Sequence, residues 1–188
     1  MKYPPFPNPD AYRTFHLTFT CYGTWLLGSE KGSTRHGGGY VAPCPNLEEY
    51  MRDRCNYSSV TLSKPLRLIT FNAIENVCAR EGWILQALNT LGQHVHAVVT
   101  VGRDDLGSVV LGKLKSEATR ELRAVGFRQT QPIWTRSGNC KEIKTYGYFC
   151  RAVKYVTVEQ TESSFHNQQS VAEDGRDHTE SRETSFDE

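Results

Sequence analysis

Two histidines and a tyrosine are the residues of this chain best suited to catalysis. His94 and His96 flank Val95 within a run of apolar residues that predicts a β-strand. Because strand side chains alternate between two faces, both imidazoles point the same way while Val95 points into a core. Neutral imidazoles side by side on a rigid element form half of a site for a divalent metal. The alternative interpretation is two ordinary polar histidines on a half-wetted strand face.

The tyrosine is Tyr155, which lies in a segment with apolar residues at helical spacing. In an α-helix, Glu159 lies one turn beyond Tyr155, at the edge of the apolar stripe. A phenol with a carboxylate one turn away suits a metal-assisted tyrosine nucleophile that attacks a phosphate. The carboxylate would complete the metal site begun by the two histidines. The alternative is a helical tyrosine that packs its ring and exposes its hydroxyl.

The charge of the chain is unevenly distributed. Residues 161–188 contain eight Asp or Glu and two Lys or Arg, a net charge of −6, whereas residues 1–160 carry +7. A basic body favours a polyanionic partner. The acidic tail has too few apolar residues to form a core, which predicts a disordered appendage rather than a second domain. Folding of the tail over the basic face, as a weak mimic of nucleic acid, is the alternative.

Composition narrows the class of protein. The sequence has no run of about 18 apolar residues, which predicts no membrane span, and its first residues do not resemble a signal segment. None of the six cysteines has the C-x-x-C spacing of a zinc knuckle or a redox motif. Scattered cysteines without a secretion signal favour the reducing cytoplasm.

The pattern of elements predicts an α+β fold in one domain spanning residues 1–160. In order, the predicted elements are a strand at 14–21, a long Gly-rich loop at about 23–45, a short helix capped by Asn46, a helix at 64–81, a hairpin of strands at 83–90 and 93–101, a helix at 104–125, a strand or ribbon at 133–143 and a helix at 145–160. This order is close to the split βαβ, ferredoxin-like arrangement, an antiparallel sheet with helices on one face. The strand of the two histidines would be central, with its other face either solvated or covered by the last helix.

Five segments within residues 12–160 carry a resemblance to a known family. They are FHLTFTCYGTWL at 15–26, Leu88-Asn89 with HVHAVV at 94–99, KLKSEATRELR at 113–123, WTRSG at 134–138, and VKYV at 153–156 with Gln160. In this order they resemble the single-tyrosine HUH transposases, and among them the insertion-sequence-200-like and REP-associated tyrosine transposases of bacteria.

The resemblance implies a DNA transposase that cleaves and rejoins single-stranded, hairpin or palindromic DNA. Tyr155 would be the nucleophile and would form a covalent 5′-phosphotyrosine, while His94 and His96 would hold Mg²⁺ or Mn²⁺. The implied protein is a cytoplasmic, nucleoid-associated bacterial enzyme without a membrane partner, and it could form a homodimer.

One position departs from the family pattern. The family usually places Asn or Gln four residues after the tyrosine as third metal ligand, where this chain has Glu159 followed by Gln160. Glutamate binds hard cations well, and on an ideal α-helix Gln160 projects away from the side of Tyr155, so Glu159 is the first choice and Gln160 the second. The departure leaves open a domesticated, catalytically silent DNA-hairpin-binding protein. An unrelated metallohydrolase is a further alternative, although no third histidine or aspartate has a useful spacing.

Basic residues predict where DNA is bound. On the helix at 104–125 and around Tyr155, the candidates for phosphate contacts are Lys113, Lys115, Arg120, Arg123, Arg136, Lys144, Arg151 and Lys154. The alternative for the helix is a solvated face joined by ion pairs to Glu117. His16, on the polar face of the first strand, is predicted to be a bystander, although a position near the site would let it contact a phosphate.

Overall fold

The computed structural model describes residues 5–30, 32–34 and 38–159. Its strands are β1 (Tyr12–Thr20), β2 (Ser33–Thr34), β3 (Tyr40–Val41), β4 (Ile84–Thr90), β5 (His94–Gly102) and β6 (Asn139–Ile143). Its helices are α1 (Pro45–Asp53), α2 (Lys64–Arg80), α3 (Gly107–Ala124) and α4 (Tyr146–Lys154). The acidic tail at 161–188 and Gln160 lie outside the described residues.

The main sheet has four strands in the order β4-β5-β1-β6, and every neighbouring pair is antiparallel. The central strands are therefore β1 and β5. Helix α2 lies in the connection from β1 to β4, and α3 lies in the connection from β5 to β6. This is the ferredoxin-like α+β arrangement that the sequence predicts. The separate ladder of β2 and β3 lies within the Gly-rich segment.

The two faces of the sheet differ in chemistry. On one face, alternate residues of β1 and β5 join α2 and α3 in the main core, among them Phe15, Leu17, Phe19, Val95 and Ala97. The residues between them on the other face of the sheet include Thr14, His16, Thr18, His94 and His96. Period-two alternation, visible in the sequence, therefore separates the core from the predicted site.

The last helix covers the polar face, one of the two possibilities that the sequence left open. Its apolar residues Phe149, Ala152 and Val153, with Val156, pack against Ala87, Val98 and Ile143 of the sheet. The Thr145 side chain caps this helix by accepting a hydrogen bond from the Tyr148 backbone N–H at 3.3 Å.

The prediction of a regular helix as far as residue 160 is wrong. The α-helix ends at Lys154, and Tyr155–Glu159 form a π-helical turn. The β-branched run Val156-Thr157-Val158 disfavours α-helix, and the Thr157 hydroxyl donates to the Val153 carbonyl at 2.9 Å. Tyr155 is therefore the first residue of an irregular turn, a feature frequent at functional sites.

Two other predicted boundaries also differ. The N-cap of α1 is Cys44, not Asn46, because Pro45 suits the first helical turn. The ribbon predicted at 133–143 forms a strand only from Asn139, because Trp134 instead makes an isolated bridge to Cys21. Within the described part of the chain, no helix is long and apolar enough to cross a membrane.

Candidate active site

The register of β5 against β1 places the histidines beside hydroxyl groups. Thr20 lies opposite His94, and Thr18 lies opposite His96. The Thr18 Oγ1 is 2.9 Å from the His96 Nδ1. In the tautomer with its proton on Nδ1, His96 donates this hydrogen bond and keeps the lone pair of Nε2 for a metal, as is usual for histidine ligands.

His96 is held as a neutral imidazole. It is only 7% exposed, and burial lowers its pKa to about 3, with smaller contributions from His94 and His16. The rings of His94 and His96 are 4.9 Å apart and almost perpendicular, at 89°. A metal requires the neutral imidazole, so this pair fits the half-site that the sequence predicts.

Tyr155 lies directly against His96. Their ring centroids are 5.4 Å apart in an edge-on arrangement, at an interplanar angle of 87°. Tyr148, on the same helix, contacts cations instead: the Lys141 Nζ is 4.7 Å from its ring centroid and the Arg151 guanidinium is 6.0 Å from it. The structure therefore brings together the predicted nucleophile and the two histidines within one chain.

Asn89 holds the turn of Tyr155 against the sheet. It lies opposite His96 in the β4–β5 register, and its Nδ2 donates to the Val156 carbonyl at 3.1 Å. In the sequence, Asn89 stands out only as part of the family resemblance. Because β4 also contains Gln86 and Thr90, its polarity alone gives no signal for this role.

We expect Asn89→Ala to loosen the turn, because it leaves the Val156 carbonyl without its side-chain donor. The free energy of unfolding should fall by about 1 kcal/mol, as measured by urea denaturation, and the amides of 155–159 should exchange faster with solvent. Asn139→Ala, an exposed asparagine of β6, is the matched control and should change neither quantity. Equal effects of the two variants would contradict a tethering role for Asn89.

His16 is part of this group, contrary to its prediction as a bystander. Its ring centroid is 5.6 Å from that of His96 and 6.1 Å from that of Tyr155. Burial lowers the pKa of His16, and the charge of Lys141, which lies opposite it on β6, lowers it further. Cross-strand neighbours of this kind are not visible in local sequence.

The structure leaves the third metal ligand as a prediction. Glu159 is the last residue of the π-helical turn, its side chain is not described, and Gln160 lies beyond the described residues. Among the side chains that are described, no three of the His, Cys, Asp and Glu type are grouped to hold a metal. Because the turn is not α-helical, the projection expected on an ideal α-helix no longer disfavours Gln160, and the affinity of a carboxylate for hard cations is the remaining reason to prefer Glu159.

The basic residues of α3 belong to a helix on the other side of the sheet from this group. The helix packs on the opposite face of the sheet, where Lys113 pairs with Glu81 at 2.5 Å and Arg120 pairs with Glu117. Glu117 also binds Arg80 at 3.0 Å. This arrangement is the ion-paired face that the sequence analysis gave as the alternative to a DNA-binding face.

Lys115 has a structural contact as well. Its ammonium donates to the carbonyls of Thr135, Arg136 and Ser137 at 2.6, 3.3 and 3.2 Å, and burial lowers its pKa. Lys115 thereby ties α3 to the WTRSG segment. The buried Nε of Arg123 has no hydrogen-bond acceptor among the described residues.

Positive charge close to Tyr155 along the last helix comes from two residues of the predicted set, Arg151 and Lys154. Both lie on α4, and Lys144 precedes that helix. Lys141, which lies opposite His16 in the β1–β6 register, adds a cation on the same sheet face.

Comparison with known structures supports this assignment at the level of fold. A REP-associated tyrosine transposase bound to a REP hairpin aligns over 87% of this chain and 74% of its own, with 15% identity and a TM-score of 0.50. This chain shares the fold of that transposase. The fold is thus consistent with the resemblance inferred from sequence motifs.

A transposase-like protein from Deinococcus radiodurans R1 aligns over 89% of this chain and 98% of its own, with 12% identity and a TM-score of 0.43. No family model and no curated protein matches the sequence.

Proposed function

We propose that this protein is a metal-dependent DNA strand transferase that cleaves and rejoins single-stranded hairpin DNA through Tyr155. The observation that carries the proposal is the contact of the Tyr155 ring with His96, 5.4 Å between centroids, within one chain. The fold shared with a transposase bound to a REP hairpin supports DNA as the substrate. Because nucleophile and histidines come from the same chain, the proposed chemistry does not require the homodimer that the family resemblance allows.

The proposed reaction is a phosphoryl transfer in which the bond formed to Tyr155 conserves the energy of the phosphodiester bond that is broken. The Tyr155 hydroxyl attacks the scissile phosphorus, the bond from phosphorus to the 3′-oxygen breaks, and the phenolic proton is transferred to that oxygen. The products are a 5′-phosphotyrosine and a free 3′-hydroxyl. Attack by another 3′-hydroxyl reverses the step and releases Tyr155, so rejoining needs no ATP.

The two histidines would hold Mg²⁺ or Mn²⁺, which polarises the phosphate when it is bound. The chain's own contribution is to keep His96 neutral by burial and to fix its ring through Thr18. Asn89 holds the turn that presents Tyr155. Affinity for DNA would come from phosphate contacts, for which Arg151 and Lys154, about one turn or less from Tyr155, are better placed than the ion-paired residues of α3. Lys144 and Arg136 stay predicted contacts.

The test is formation of a covalent protein–DNA adduct. The purified full chain is incubated with Mg²⁺ or Mn²⁺ and single-stranded hairpin oligonucleotides, taken from imperfect palindromes that flank the gene. We expect an adduct that survives denaturing electrophoresis and whose DNA-modified peptide contains Tyr155. The silent hairpin-binding alternative predicts binding of the same oligonucleotides without an adduct.

The third ligand can be tested by variants of Glu159 and Gln160. Glu159→Ala should raise the Mg²⁺ or Mn²⁺ concentration needed for half-maximal cleavage by about 10- to 100-fold, because a ligand is lost. Glu159→Gln, which restores the family's usual carboxamide, should keep activity, and Gln160→Ala should change little.

The π-helical turn makes the opposite result informative. A turn with hydrogen bonds from residue i to i+5 is wider than an α-helical turn, so the residue five positions on is no longer directed away from the side of the starting residue. A normal metal response for Glu159→Ala, with Gln160→Ala inactive, would assign the ligand to Gln160 and contradict Glu159.

A further inference from the structure

His16 lies in a triangle of three rings. Its centroid is 5.6 Å from that of His96 and 6.1 Å from that of Tyr155, while His96 and Tyr155 are 5.4 Å apart. In the proposed reaction, the phosphate would lie between Tyr155, which attacks it, and His96, which would hold the metal. A phosphate between those two residues therefore lies beside His16.

The Nε2 of His16 is buried without a hydrogen-bond partner among the described residues. Buried polar atoms in proteins are nearly always paired, so an unpaired one in a cluster of reactive groups needs an explanation. Only two other described side-chain nitrogens or oxygens share this condition, the Nε atoms of Arg67 and Arg123. Arg67 belongs to α2 and Arg123 to α3, on the opposite face of the sheet.

We propose that His16 is a third functional imidazole of this site, whose Nε2 donates a hydrogen bond to a non-bridging oxygen of the scissile phosphate. The inference rests on the proposed function and adds a residue to it. Such a donor is unpaired before DNA binds and stabilises the negative charge that develops on the phosphate during attack. The Nε2 of His16 would then gain its hydrogen-bond acceptor only when the substrate binds.

If His16 has this role, replacing it should slow adduct formation without lowering thermal stability. Replacing a residue with a purely structural role would lower stability. His16→Phe keeps a ring in the packed position and removes the unpaired nitrogen. We expect the thermal midpoint to rise by about 2 °C or more, because no buried polar group is left unsatisfied. The rate of adduct formation in a single turnover should fall roughly 100-fold, as after loss of one donor to a developing charge. The Kd for the hairpin should stay within about threefold, since most phosphate contacts remain.

His16→Gln tests the hydrogen bond itself. Its amide nitrogen reaches about as far as the Nε2 of histidine, so this variant should recover adduct formation to within about tenfold of the wild type. Arg67→Met is the matched control, because it replaces another residue with a buried unpaired nitrogen, on a helix that packs against the opposite face of the sheet. It should raise the thermal midpoint in the same direction and leave adduct formation unchanged.

The outcomes separate this inference from the proposed function. A His16→Phe variant that forms adduct at the wild-type rate would overturn the inference and leave the proposed function standing. A thermal midpoint that falls by several degrees in His16→Phe would assign His16 to the fold and would also overturn it. A wild-type protein without any adduct would refute the proposed function, and the role of His16 with it.

Discussion

Replacing Tyr155 by phenylalanine should abolish the covalent adduct with hairpin DNA. The change removes only the hydroxyl, so the ring keeps its edge-on contact with His96 and the packing of the π-helical turn. We expect adduct formation to fall by at least about 1,000-fold, because no other group replaces the nucleophile. The thermal midpoint and the Kd for the hairpin should stay close to the wild-type values. Denaturing electrophoresis with end-labelled DNA measures the first quantity, and fluorescence anisotropy measures the last.

Tyr148→Phe is the matched control for this experiment. Tyr148 lies on the same helix, but its ring contacts Lys141 and Arg151, and a phenylalanine ring keeps both cation–π contacts. We expect adduct formation within a few-fold of the wild type. An adduct that persists in Tyr155→Phe and disappears in Tyr148→Phe would show that Tyr148 is the nucleophile.

The second large effect concerns the histidines. His94→Ala and His96→Ala should each lower adduct formation by about 100-fold or more, because each removes one of the proposed metal ligands. EDTA should abolish adduct formation by the unchanged protein, and excess Mg²⁺ or Mn²⁺ should restore it. Binding of the hairpin should change only a few-fold in all cases, since affinity comes from phosphate contacts and stacking.

Thr18→Val provides a graded comparison for these variants. It leaves both imidazoles in place and removes the hydroxyl that fixes His96 through Nδ1. We expect a 10- to 100-fold higher metal requirement with little change in the maximal rate, because a residue that orients a ligand tunes metal affinity. Cleavage by the wild type in the presence of EDTA would contradict a metal-dependent reaction altogether.

The fold was largely predictable because its signals are local. The apolar alternation in β1 and β5 and the tight connection between β4 and β5 specify a sheet with one buried face, and the helices between them fit the ferredoxin-like order. Boundaries were harder to predict where two local preferences compete. The β-branched residues after Tyr155 compete with the helical spacing of the apolar stripe, and the result is a π-helical turn that periodicity alone does not predict.

The basic residues of α3 show that the local sequence pattern also predicts function incompletely. Its lysines and arginines have the spacing of a phosphate-binding surface, yet Lys113 and Arg120 pair with glutamates and Lys115 binds loop carbonyls. Glu81 is the C-cap residue of the preceding helix, α2, and is 32 residues from Lys113 along the chain. Such a partner is not visible in the local pattern of either helix.

The sequence by itself determined that His94 and His96 share one face of a strand, because strand side chains alternate with period two. It also indicated Tyr155 on a final helix with one apolar side, because that stripe repeats at helical spacing. Only the tertiary structure decided that this side covers the polar face of the sheet, which brings Tyr155 to His96. It alone placed His16, Thr18 and Asn89 around them, because cross-strand register joins residues that are distant along the chain.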